Sequence, residues 1–129
     1  MKQLFVSYGI AKLLKEKGFN EPCIAYYGTV LLQFYWNTPN DKFCRNNEQY
    51  FTGENNQNAI APLYQQVIDW FESKNIYITI ELADTFDNVK LKSVVSQYKD
   101  SRLHSIYRSG YGEKYSVLSE AIKEAIKLL

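Results

Sequence analysis

Residues 61–82 read APLYQQVIDWFESKNIYITIEL, and the change of period inside this stretch decides the fold class. Pro62 suits a first helical turn, where a missing N–H costs nothing. Leu63, Tyr64, Val67, Trp70 and Phe71 then recur at the spacing of a helix with one buried face, while Gln65, Gln66, Asp69, Glu72 and Ser73 take the wet side. After Lys74-Asn75 the period falls to two: Ile76, Ile78 and Ile80 point one way, Tyr77, Thr79 and Glu81 the other. A helix feeding directly into a half-buried strand is the simplest reading.

Working outward toward the N-terminus, Ser7 is a good N-cap and Ile10, Ala11, Leu13 and Leu14 form an apolar stripe. Gly18 followed by Phe19 is the signature of a helix stopped by a left-handed glycine, with an apolar residue folding back on the last turn. The spacing predicts a helix over 7–17. Residues 23–27 and 30–36 have strand composition, with Gly28-Thr29 as the turn between them. The second carries apolar groups on both faces, as a central strand does.

Residues 37–58, NTPNDKFCRNNEQYFTGENNQN, are rich in Asn and poor in aliphatics. Asn favours turns, so the segment is expected to be a long surface loop, and loops of that length are functional or mobile. Its aromatics Phe43, Tyr50 and Phe51 either dock on the core or form an exposed partner-binding patch.

Toward the C-terminus, 83–88 reads as a turn-rich acidic connection. Residues 89–98 have strand composition with a slip in the alternation at Val94-Val95, which suggests a bulge. Lys99-Asp100-Ser101 reads as a hairpin turn, and in 103–108 Leu103, Ser105 and Tyr107 alternate against His104, Ile106 and Arg108. Leu118, Ala121, Ile122, Ala125, Ile126 and Leu129 lie on one face of a last helix over about 116–128.

These elements give an α+β fold in the order α-β-β-α-β-β-β-α, with three amphipathic helices packed on an antiparallel sheet. A chain of 129 residues is expected to form a single domain spanning 1–129. A net charge of +1 is far from the basic balance of dedicated nucleic-acid coat proteins. Two cysteines, Cys23 and Cys44, and the absence of a basic-then-apolar leader point to reduced thiols and a cytoplasmic setting. No apolar run approaches the roughly 20 residues that span a bilayer, so no membrane association is expected.

Motifs that carry chemistry are scarce. His104 is the single histidine, and zinc wants three or four nitrogen or sulfur ligands, so no metal site is expected. Gly110-Tyr111-Gly112 lacks the further glycine of a dinucleotide loop, and no cofactor is expected. No nucleophile–base pair stands out, and no catalytic residue is assigned. Lys90, Lys92, Arg102 and Arg108, interleaved with Tyr98 and Tyr107, form a basic and tyrosine-rich strand region of the type that stacks and neutralises nucleic acid. An ordinary solvated sheet face is the plainer account of the same residues.

Three segments carry a family likeness: VSYGIAKLLKEKGF at 6–19 with Cys23 soon after, APLYQQVIDWF at 61–71, and EAIKEAIKL at 120–128. The set resembles small proteins common in phages and prophages of the Bacteroidetes group. The matching residues are mostly helix-face positions, so the resemblance implies a fold and carries no catalytic residue across. It also implies a mobile-element context, in which small proteins work by binding host or viral components. The expected function is that of a non-enzymatic protein-binding or adaptor module acting through the tyrosine-rich sheet face or the Asn-rich loop. Weak nucleic-acid binding is the alternative, and a homodimer through an edge strand or the last helix stays open.

Overall fold

The computed structural model describes residues 2–28, 30–34, 43–53, 56–84 and 89–129. Thr29 in the first expected turn, Tyr35 and Trp36 of the second expected strand, residues 37–42, 54 and 55 of the Asn-rich segment and residues 85–88 of the acidic connection lie outside them. The chain is α+β, with three α-helices and two separate three-stranded antiparallel sheets among the described residues. The expected order of elements holds, with one further strand of two residues before the second helix. The strands divide between two compact units, Met1–Gln66 and Val67–Leu129.

In the first unit, helix α1 (Tyr8–Glu16) is capped by Ser7, whose hydroxyl accepts from the Ile10 N–H at 3.3 Å. Its far end closes as Gly18 and Phe19 foretell. Gly18 sits at φ +89°, its N–H donates to the Lys15 carbonyl, and the Phe19 N–H donates to the Leu14 carbonyl at 2.9 Å. Phe19 is thereby buried beside the helix stripe of Ile10, Ala11 and Leu14.

Strand β1 (Ala25–Gly28) is central, flanked by β2 (Leu31–Phe34) and the short β3 (Ala59–Ile60). Pairing of Gly28 with Leu31 leaves a two-residue loop, with Val30 at φ +76°. The central strand is therefore β1 and not the expected second strand, and β2 is a sheet edge with Val30 and Leu31 exposed. An apolar sequence on both faces does not by itself cover a strand on both faces.

The Asn-rich segment is only partly a surface loop. Cys44 pairs with Cys23 through two reciprocal backbone bonds of 2.9 Å, and a 3-10 turn at Gln49–Phe51 carries Phe51 into the core. Asn46 is buried, its Nδ2 donating to the Phe19 carbonyl at 2.7 Å and its Oδ1 accepting from the Ile60 N–H at 3.1 Å. One amide thus ties the segment to both the end of α1 and the sheet edge.

Helix α2 (Tyr64–Glu72) begins two residues after Pro62 rather than around it. Leu63 stands before its first residue, and Gln66 reaches back to accept the Leu63 N–H at 3.0 Å. The Pro62 carbonyl meanwhile accepts from the Val6 N–H.

In the second unit, β4 (Ile76–Asp84), β5 (Val89–Lys99) and β6 (Arg102–Arg108) form a meander in the order β4-β5-β6. Asp100 and Ser101, both at positive φ, make the two-residue turn between β5 and β6, the mirror-image geometry that matches strand twist. Helix α3 (Lys114–Ile126) lies on β4 and β5 and buries Val117, Leu118, Ala121, Ile122, Ala125 and Ile126. Ser93 Oγ donates to the Val117 carbonyl at 2.7 Å, which marks the face of β5 that α3 covers.

Candidate functional site

The register of the second sheet sorts its side chains into two faces. Cross-strand pairs Ile78–Val95 and Ile80–Ser93 belong to the face under α3. Tyr77, Thr79, Glu81, Lys90, Lys92, Val94, Ser96 and Tyr98 alternate onto the other face, joined from β6 by Leu103, Ser105 and Arg108. The expected slip is present, between Val95 and Ser96. Its extra residue lies on β6, because Val95 pairs with Tyr107 and Ser96 with Ser105, leaving Ile106 unpaired. The simple alternation expected for 103–108 is therefore broken at Ile106.

Tyr98 and Leu103 are a direct cross-strand pair, 49% and 60% exposed, and the unpaired Ile106 is 48% exposed. Three large apolar side chains thus stand open at the β5–β6 end of the sheet. In β6 as a whole, only His104 and Tyr107 are half-buried and the other residues are exposed. Exposed apolar groups clustered on one element mark interaction surfaces far better than the same residues scattered singly.

Of the four basic residues, the register puts Lys90, Lys92 and Arg108 on this face. Glu81 sits among them, directly opposite Lys92 and 3.1 Å from Arg108 across β5. Lys92 also lies over the Tyr111 ring, 5.6 Å from its centroid. Arg102 does not join them. It pairs with Lys99 beside the turn, on the alternate face and about 23 Å along β5 from Lys92 at the usual strand rise. The four therefore form a group of three, partly neutralised by Glu81, and one separate cation.

The three loop aromatics do not form one patch. Phe51 is fully buried, so it belongs to the core and not to a partner-binding surface. Tyr50 is 52% exposed and packs edge-to-face on Phe51 and Tyr26 at 5.2 and 5.5 Å, while Phe43 is 57% exposed. The docking of Cys44 and Asn46 between them pulls this part of the segment inward.

The thiols are poor nucleophiles. Burial pushes both Cys23 and Cys44 up to about 12, with the neighbouring Cys44 and Glu21 acting on Cys23 and Glu48 acting on Cys44 in the same direction. A thiol with that pKa presents almost no thiolate at neutral pH. His104 Nε2 lies 3.2 Å from the Lys99 carbonyl, a contact that braces the hairpin. Among the described residues no group of three or more His, Cys, Asp or Glu side chains is placed to hold a metal ion. Nor, among them, is any helix long and apolar enough to cross a membrane.

Sequence reasoning placed Tyr98 on a tyrosine-rich sheet face but missed Leu103 and Ile106. The signal was present in the slip at Val94-Val95, since a bulge displaces a side chain from the alternation, but which strand carries the extra residue follows only from the pairing. No family model, curated protein or solved structure matches the chain.

Proposed function

We propose that this chain is a non-enzymatic protein-binding module that acts through the open face of the β5–β6 hairpin. The observation that carries this reading is the exposed Tyr98–Leu103 pair, with the exposed Ile106 three residues farther along β6. Interfaces draw on tyrosine and large apolar groups, and a sheet supplies them on a rigid frame. The likeness to small Bacteroidetes phage and prophage proteins suits a cytoplasmic adaptor of that kind. The test is affinity capture from a lysate of such a host, with and without nuclease, using the wild-type chain and a Leu103→Glu/Ile106→Glu double variant whose folding is checked by circular dichroism. A protein that resists nuclease and is lost with the double variant is the expected result. Capture indifferent to the two substitutions contradicts the reading.

Nucleic-acid binding is the second reading, favoured by Lys90, Lys92 and Arg108 sharing a face near Tyr111. Three such contacts to single strands imply a log–log salt slope of about −2. Recovery that collapses with nuclease and shows that slope moves this reading to the front.

A further inference from the structure

Resting on the protein-binding reading, we infer that the outer edge of β6 takes up an extended acidic segment of a partner protein as a fourth strand. β6 ends the sheet, and among the described residues no backbone bond reaches Arg102–Arg108 from any strand but β5. The bulge at Ile106 interrupts this edge, but the regular stretch between the turn and the bulge, residues 102–105, keeps its side chains largely exposed and is a template for strand addition.

The charges on this edge select the occupant. Two copies of β6 paired antiparallel about Ser105 would set Arg102 of each against Arg108 of the other, and directly opposed like charges destabilise a pair. A second copy of this chain in that fully overlapping register is thereby disfavoured. Within the fold, Arg102 already stands directly opposite Lys99, and among the described residues neither makes an ion pair. A carboxylate placed beside Arg102 relieves that repulsion and gains a charge-assisted hydrogen bond. Apolar residues farther along the incoming strand meet Leu103 and Ile106, the open side chains of β6. The partner segment is therefore extended, acidic at the end beside Arg102 and apolar in its middle.

The test uses the full chain and a labelled, end-blocked peptide, Glu-Val-Thr-Val-Thr-Val-Glu, read by fluorescence anisotropy. Two control peptides accompany it, one with Lys in place of both Glu and one with alternate backbone nitrogens methylated. The acidic peptide is expected to bind, with both controls weaker by at least about tenfold. Arg102→Glu is expected to reverse the preference, weakening the acidic peptide and strengthening the Lys-ended one. That gain of binding cannot come from a misfolded variant. Equal binding of the acidic peptide to wild type and Arg102→Glu, or of the methylated and unmethylated peptides, overturns the inference. So does binding of an oligothymidine strand, lost with Arg102→Glu, while no peptide binds. If no peptide binds but lysate capture still depends on Leu103 and Ile106, strand addition fails and the protein-binding reading stands.

Discussion

The two three-stranded sheets are built by different means. The first has strands of four, four and two residues and draws in distant segments through side chains. Asn46 bridges to β3, Tyr27 donates its hydroxyl proton to the Val6 carbonyl at 2.6 Å, and Phe51 arrives from the Asn-rich segment. The second has strands of nine, eleven and seven residues, a two-residue turn between β5 and β6, and a helix laid along one face. On the second sheet's other face Val94 and Ser96 are buried, while Tyr98 and Leu103 stay open at the hairpin end. In the first, Phe51 and Asn46 of the Asn-rich segment are spent on holding the unit together, while Phe43 and Tyr50 stay more than half exposed.

The sharpest way to break this comparison is to remove a side chain that the first unit spends. Phe51→Ala deletes a fully buried ring, and a loss of about 3–5 kcal/mol is expected in urea denaturation. A loss below about 1 kcal/mol, the level of an ordinary surface change, would mean that the segment is no part of the core. Asn46→Ala comes next. It strips the Ile60 N–H and the Phe19 carbonyl of a buried partner, at an expected cost of about 1–3 kcal/mol. Here the control is Asn47→Ala, an exposed neighbour expected to stay within about 0.5 kcal/mol.

The thiols give a pH signature of the same unit. Cys23 and Cys44 titrate near 9 when unfolded and about 12 when folded, so the unfolded chain loses protons first as pH rises. Their contribution is whole below pH 9 and is lost between pH 9 and about 12, by about 1.4 kcal/mol per thiol per pH unit in that window. Replacing both cysteines with alanine should flatten the fall in melting temperature above pH 9, and an unchanged slope would refute the assignment.

How much of this was legible in the sequence follows the same division. Ser7, Gly18-Phe19, the Asp100-Ser101 turn and the α3 stripe were readable because each acts on neighbours a few residues away. The slip at Val94-Val95 was readable for the same reason. Asn46 was not, since a buried bridging asparagine and a solvated turn asparagine look identical in composition. Phe51 was weighed both ways for want of any local pattern, and only the fold chose. The division of the strands between two sheets rests on pairings such as Tyr26 with Ile60, whose partners are far apart in the chain.

Smaller effects sharpen the second unit. Asp100 and Ser101 hold positive φ, so replacing the pair with Asn-Gly should raise stability by about 0.4–1 kcal/mol in a thermal melt. No gain would count against that turn. Leu103→Lys should move stability by no more than about 0.5 kcal/mol, because the side chain is open, yet abolish partner capture.

The most direct test sets the two regions against each other in one experiment. A photoreactive benzoylphenylalanine is placed at Leu103 on the open sheet face or at Tyr50 in the Asn-rich segment, both half or more exposed. Each chain is irradiated in host lysate and its adducts are identified by mass spectrometry. A discrete protein adduct is expected from position 103 and none from position 50. An adduct from position 50 with none from position 103 would contradict binding through the β5–β6 hairpin.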